Sequence, residues 1–370
     1  MIERTPLPVT ALSPAVQRAL GPGPGKLMAA RGIMPLPPGD QLAVLYQLVT
    51  GTEEALAQQA RNTIISLPEK LLVGTLATAL DPRVLDLFAE LVADKPAVTE
   101  TLILNAVTAD ATVATIAGRA ESREVDLIAQ NEQRLLRHPE IIAAMYMNRR
   151  ARMSTIDRVV ELAVRNNVRV PGLAAWDEVA RAITGGATLS TAEDDEKVAR
   201  MLADTDDRGL TAGNPDELSP ELVEAAQPAE PEVALDANNI PRSIPAQIRL
   251  ATLGNAVQRN FLIRSPLRPV AMAAVRSPAV KDIEVMRWAG NHALHEDVIR
   301  HIAGKREWTK SYNVKVLLCR NPKAPIAEIT RMLPFLREKD LNTLSRSKGV
   351  PSAVAAQARK LVMQRRGPTK

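Results

Sequence analysis

Chemistry is suggested at four places in this sequence and completed at none. His295-Glu296-Asp297-Val298-Ile299 opens like a zinc-protease helix, in which histidines at i and i+4 grip the metal and the glutamate between them acts as base. Ile299 stands where the second histidine is required. His292, His295 and His301, three of the chain's four histidines, would have to converge at ligand distances to hold a metal. Otherwise they are solvated or capping imidazoles on a basic helix. Gly21-Pro22-Gly23-Pro24-Gly25-Lys26 ends in Gly-Lys like a phosphate loop. Leu20 occupies its first glycine position, however, and Leu27 replaces the hydroxyl that would meet magnesium. Asp204-Thr205-Asp206-Asp207-Arg208-Gly209 resembles the start of a calcium loop. Arg208 and Pro215 fill the fifth and twelfth positions, where oxygen ligands belong. Cys319, the only cysteine, sits between Leu318 and Arg320 and reads as a small buried hydrophobe. A single cysteine excludes an intramolecular disulfide and points to a reducing compartment. No Gly-x-Ser-x-Gly elbow is present. The residues name no reaction. The expectation is a non-enzymatic protein with no cofactor and no bound metal.

Charge carries more content. The net +5 conceals three blocks. Residues 1–185 hold 19 Lys/Arg against 20 Asp/Glu, residues 186–240 hold 3 against 14, and residues 241–370 hold 25 against 8. Such differences suggest separate modules. The basic block favours an acidic protein partner, nucleic acid, an anionic membrane surface, or the chain's own acidic stretch. Only Phe261, Trp288, Trp308, Tyr312 and Phe335 could stack on bases in that block. No amphipathic anchor rich in aromatics accompanies the terminal Arg365-Arg366 pair, so the membrane ranks last.

The elements that must position these residues are short helices. Hydrophobic residues reach 46% while aromatics are only 2%, which favours helices packed through Ala, Leu, Val and Ile over a β-sandwich. No apolar run approaches the ~20 residues of a membrane span. The N-terminus lacks a basic region followed by an apolar stretch, so a soluble cytoplasmic protein without a signal peptide is expected. Residues 1–38 read as a flexible Pro/Gly-rich arm with a short helix at Pro14–Leu20. Pro68, Pro82 and Pro96 then mark a 14-residue step that Asp110 continues. Asp81-Pro82 reads as a helix start, because Asp caps orphan amides and Pro fits the first turn. Val84, Leu85, Leu87, Phe88, Leu91 and Val92 form the apolar stripe that follows. Helices are expected at 41–49, 53–65, 98–107, 111–119, 124–136, 139–148, 155–166 and 174–183. Residues 186–240 read as an acidic, mostly disordered linker, with a helical turn or two at Lys197–Leu202.

The C-terminal block repeats itself. Arg264-Ser265-Pro266-Leu267-Arg268-Pro269 is similar to Arg320-Asn321-Pro322-Lys323-Ala324-Pro325. Arg346-Ser347-Lys348-Gly349-Val350-Pro351 keeps the Arg, the Ser and the last Pro, while Arg276-Ser277-Pro278 and Arg137-His138-Pro139 keep the first half. The spacing predicts that Ser or Asn caps the next helix. At an offset of 30, Met286 pairs with Val316, Asn291 with Asn321, Ile299 with Ile329 and Ile302 with Met332. Imperfect repeats of this length, built from helix pairs, predict stacking of neighbours.

The Arg-(Ser/Asn)-Pro-x-x-Pro step resembles that of bacterial HEAT-like, leucine-rich-repeat-variant α-solenoids. Gln258–Val362 is similar to the repeat region of bacterial helical-repeat proteins. The resemblance covers about a third of the chain. It implies an all-α fold, an irregular HEAT-like α-solenoid, and a binding or scaffolding role without catalytic residues. The expected organisation is an arm at 1–38, helical-repeat modules at 39–185 and 241–370, and the acidic linker at 186–240. The expected function is a protein-binding scaffold or adaptor, the alternative sequence-independent nucleic-acid binding through the basic module. Candidate contact residues are Arg264, Arg268, Arg276, Arg320, Lys323 and Arg346, which recur at one point of successive repeats. An Arg at such a junction can instead bond the carbonyls that end the preceding helix.

Overall fold

Helices begin where the proline and aspartate marks stand. Asp81 caps the helix that starts at Pro82, its carboxylate accepting the Arg83 amide at 2.9 Å. Other helices start at Glu69 (after Pro68), Pro96 and Asp110. The computed structural model describes residues 3–207, 209–211, 240–347 and 349–366. Among them it is all-helical, with no strand and no helix long and apolar enough to cross a membrane. The chain divides into two compact units, 1–172 and 173–370.

The first unit holds α1 (Pro14–Ala19), α2 (Gly25–Ala30), α3 (Pro38–Val49), α4 (Glu54–Ser66), α5 (Glu69–Leu76) and α6 (Pro82–Leu91). It continues with α7 (Pro96–Leu104), α8 (Asp110–Ala117), α9 (Ser122–Ile128), α10 (Glu132–Arg137), α11 (Glu140–Met147) and α12 (Met153–Arg165). Alternate helices pack on one another. α3, α5, α7 and α9 make one series, and α4, α6, α8 and α11 a second. The 14-residue step is thus one helix plus its turn, and two steps return the chain to the same row. Val84, Leu85, Leu87, Phe88 and Val92 are buried as the stripe requires. Burying one such side chain stabilises by about 1.5–3 kcal/mol.

Three expectations for this unit change. The single helix at 124–136 is two, because Asn131 breaks it and caps α10 by accepting the Arg134 amide at 3.1 Å. The arm at 1–38 lies against the helices: Leu7, Leu12 and Val16 are buried. Gln47 exchanges two hydrogen bonds with the Leu7 backbone, at 2.8 and 3.0 Å. Arg4 reaches buried Asp86 at 2.8 Å. Apolar residues among the prolines give this segment a face to bury, which its composition hid. The third change is the end of the unit. It falls at Gly172, so the helix expected at 174–183 belongs to the second unit.

That unit holds α13 (Trp176–Thr184), α14 (Ala192–Ala203), α15 (Ile244–Leu253), α16 (Ala256–Leu262) and α17 (Arg268–Arg276). It continues with α18 (Asp282–Ala289), α19 (Glu296–Gly304), α20 (Tyr312–Arg320), α21 (Ile326–Met332), α22 (Glu338–Arg346) and α23 (Ser352–Arg366). Here α13, α15, α17 and α19 pack in series, as do α18, α20 and α22. Part of the stretch read as a disordered linker is ordered. Thr191 and Asp194 close a capping box on α14, which packs on α15. Residues 212–239, the rest of that stretch, lie outside the described residues. Counted on the structural boundary, residues 1–172 are neutral (18 Lys/Arg against 18 Asp/Glu) and residues 173–370 carry 29 against 24. The described parts of the acidic and basic blocks share one unit.

The repeated Ser/Asn-Pro step is corrected in its role. Ser277, Asn321 and Ser347 are C-caps of the preceding helix. Each accepts the amide two residues on, at 3.3, 3.0 and 3.4 Å, which is a turn and not an N-cap. The other partners of Ser277 and Asn321 lie 25 to 32 residues earlier in the chain. The Asn321 amide donates to the carbonyls of Ala289 (2.9 Å) and Asn291 (3.4 Å). Ser277 donates to Thr252 at 2.6 Å. Asn105 and Asn148 do the same in the first unit, to Leu76 and Thr78 and to Ala117 and Ala120. The side chain therefore ties the carbonyls near the end of one helix to a turn 25 to 32 residues further along the chain.

Candidate functional site

None of the near-motifs assembles. His295 caps α19, its Nδ1 accepting the Asp297 amide at 3.2 Å. His301 meets Trp308 edge-on, with ring centroids 5.8 Å apart. Burial, with Arg276 and Lys305 nearby, holds its pKa below the usual histidine value. His292 is exposed. No group of three or more His, Cys, Asp or Glu among the described residues is placed to hold a metal. Burial pushes the Cys319 thiol up to about 12, so it stays protonated and un-nucleophilic at neutral pH. Lys26 pairs with Glu53 at 2.7 Å. Asp204 and Asp207 accept the amides of Asp206 and Gly209.

The six candidate cations divide. Arg276 bonds both carboxylate oxygens of buried Glu178, at 2.8 and 2.9 Å. Arg268 pairs with Asp297 and holds that carboxylate below the ordinary range. Arg320 approaches Asp340 at 3.5 Å. Lys323 donates to the Leu294 carbonyl at 2.7 Å, in a turn 29 residues earlier and not at the end of the preceding helix. Arg346 is exposed at the end of α22. Arg264 is half-buried with its Nε shielded and unbonded, and burial alone lowers its pKa. It lines a cleft of about 530 Å3 together with Arg242, Phe261, Leu262 and Leu267.

Many other cations of the basic block are also occupied. Arg259 forms a buried pair with Glu284 (2.8 and 3.0 Å), each side chain only 3% exposed, and donates to Gly254 at 2.6 Å. Arg287 donates to the Leu210 carbonyl and Asn255 to those of Asp204 and Asp206. The described part of the acidic stretch is thus tied to the basic module largely through backbone carbonyls and caps. Three cation–aromatic pairs occur in the same block. Lys315 lies 5.6 Å over Phe335, Arg337 4.6 Å over Tyr312 and Lys305 3.9 Å over Trp308. Phe335 is 69% exposed, whereas Trp288 and Trp308 are buried.

The first unit carries a surface that the charge pattern did not indicate. Two neighbouring clefts of about 500 and 420 Å3 open along α7, α9 and α10, with Leu104, Leu127 and Gln130 in both linings. The floor of the larger is Ile103, Leu104, Leu127 and Ile128. Leu104 is 68% exposed. The rim carries two ion pairs, Arg123–Glu100 (2.8 Å) and Arg152–Asp126 (2.9 Å). A half-apolar wall with charges at its edge suits a side chain from another protein. No pattern in the sequence signals it. α7 is apolar nearly all round (Pro-Ala-Val-Thr-Glu-Thr-Leu-Ile-Leu), so its stripe does not say that Leu102 and Ile103 go inside while Leu104 stays out. Comparison with family models, with curated proteins and with solved structures returns no match.

Proposed function

We propose that this chain is a non-enzymatic protein-binding scaffold or adaptor, built as an irregular HEAT-like α-solenoid in two helical-repeat modules and working in a reducing compartment such as the cytoplasm. The single observation that carries the binding role is the pair of open clefts around Leu104, Leu127 and Gln130, mixed in polarity and edged by Arg123 and Arg152. The solenoid reading is supported by alternate-helix packing and by Asn105, Asn148 and Asn321, which bond across sequence separations of 27 to 32 residues. Each helix pair has an apolar face that only its neighbour covers, which is the physical basis of a repeat array. Selection of a random peptide-display library on the full chain tests the binding role. Peptides with an apolar anchor should be enriched and should bind about tenfold or more weakly to Leu104→Asp. Absence of enrichment, or ligands indifferent to Leu104→Asp, would remove these clefts from the reading.

A second reading is sequence-independent nucleic-acid binding. It is favoured by exposed Phe335 beneath Lys315 and by Arg337 on Tyr312, an arrangement on which bases can stack beside phosphate-binding cations. It calls for binding of the full chain to a labelled single-stranded oligonucleotide. That binding should fall at least tenfold between about 50 and 200 mM salt and weaken further in Phe335→Ala.

A further inference from the structure

Arg264 poses a physical problem that its neighbours do not. A guanidinium taken partly out of water needs an anion or a set of acceptors to offset the lost hydration. Arg259, five residues earlier, has Glu284 and the Gly254 carbonyl. Arg264 has no carboxylate or carbonyl partner among the described residues, and its Nε is closed to solvent. Its stem lies beside Leu262, Phe261 and Leu267, which line the same cleft. Phe261 and Leu267 are not fully buried, and Leu267 is counted among the exposed large apolar residues. The second cation of the cleft, Arg242, is exposed, and its backbone amide is fixed by Asp194 at 2.7 Å. The cleft is therefore an apolar wall with one uncompensated positive charge, Arg264, inside and a second cation, Arg242, at its edge near Glu193.

We propose that this cleft is a binding site for an acidic segment of a protein partner, in which one Asp or Glu carboxylate meets Arg264 and an adjacent apolar side chain packs on Phe261, Leu262 and Leu267. The inference rests on the scaffold reading above and places a second contact point on the chain. With Nε walled off, the carboxylate is taken through the terminal guanidinium nitrogens, two parallel bonds that fit a planar carboxylate. A phosphate dianion needs several converging donors, whereas the apolar surface of Phe261, Leu262 and Leu267 beside Arg264 suits a carboxylate carried next to an apolar side chain. A peptide is favoured over a free small acid because the wall is formed by surface turns, Ile240–Arg242 and Arg264–Leu267, which leave a chain room to run on.

The test is the same peptide-display selection on the full chain, repeated in parallel on Arg264→Met and on Leu104→Asp. Methionine keeps the apolar stem and removes the charge. Peptides with Asp or Glu next to Leu, Ile, Val, Phe or Met should be enriched on the wild type. They should survive Leu104→Asp and vanish on Arg264→Met. An enriched peptide should bind about tenfold more weakly when its carboxylate is changed to the amide. Arg264→Met should melt at or above the wild-type temperature, because a charge that serves a ligand contributes nothing to the free fold. Failure to enrich acidic peptides, their persistence on Arg264→Met, or a lowered melting temperature of that variant would overturn the proposal. So would displacement of the peptide by 4-phenylbutyrate or inorganic phosphate at the peptide's own concentration, which would assign the cleft to a small anion. Loss of peptides on Leu104→Asp alone speaks to the scaffold reading, so the two failures are separable.

Discussion

Arg259 and Arg264 belong to the same basic block and the same helix-and-turn, yet their surroundings are opposite. Arg259 is sealed against Glu284, its charge cancelled and its donors filled. Arg264 is half-buried beside apolar walls with nothing to cancel it. The difference teaches that a count of cations does not locate function in this chain. Arg268, Arg276, Arg320 and Lys323 resemble Arg259, since each is engaged by a carboxylate or carbonyl of the same unit. What marks a surface for a partner is a charge or an apolar side chain that the fold itself leaves unanswered.

The largest effect expected from this contrast is at Glu284. Glu284→Gln removes the anion and leaves Arg259 buried and uncompensated, which should cost the second unit about 3–5 kcal/mol, read from urea unfolding of the full chain. A loss below about 1 kcal/mol would erase the distinction between the two arginines. Next comes Asn321→Leu, which strips the carbonyls of Ala289 and Asn291 of their donor and should cost about 1–3 kcal/mol. An equal loss for Asn148→Leu would show that both units depend on the same tie.

A smaller effect is expected from pH. His301 has a folded pKa below its ordinary value of 6.5, first through burial and then through Arg276 and Lys305. The unfolded chain therefore takes up that proton more readily. Stability from this group is complete above about pH 6.5 and is lost as the pH falls through the interval down to the folded pKa. Thermal unfolding between pH 8 and 5 should show this decline, and His301→Phe should remove it; a decline that persists would assign the step to another group. The smallest change is expected at Arg264. Arg264→Met should leave stability at the wild-type value or raise it by up to about 0.5 kcal/mol. Side by side with Glu284→Gln, that null result sharpens the comparison, since one substitution unmakes a pair and the other removes a charge that has none.

Much of the helical framework was legible. The marks at Pro68, Pro82, Pro96 and Asp110 each coincide with a helix start, because capping and the first-turn tolerance for proline are local effects. The offset of 30 that paired Asn291 with Asn321 describes a real structural equivalence. Both side chains accept the amide two residues on, at 2.9 and 3.0 Å. The role assigned to that position was wrong by one element. Its side chain closes the helix behind it and does not open the next, because partners 25 to 32 residues back are invisible until the helices pack. Asn131 splitting 124–136, and Leu7, Leu12 and Val16 finding a surface to bury against, were missed for a related reason. A polar residue inside an apolar run and apolar residues among prolines acquire meaning only from what they touch.

By itself the sequence determined the helical class, the starts of many helices, the 14-residue step of the first unit and the uneven charge. These follow from short-range rules on caps, periodicity and composition. The tertiary structure alone decided where the units divide, that the described part of the acidic stretch joins the basic one, and which cations are consumed in pairs. It also decided that Leu104 and Arg264 stay unanswered. Pairing and exposure depend on which residues meet across a repeat, and a local pattern carries no record of that meeting.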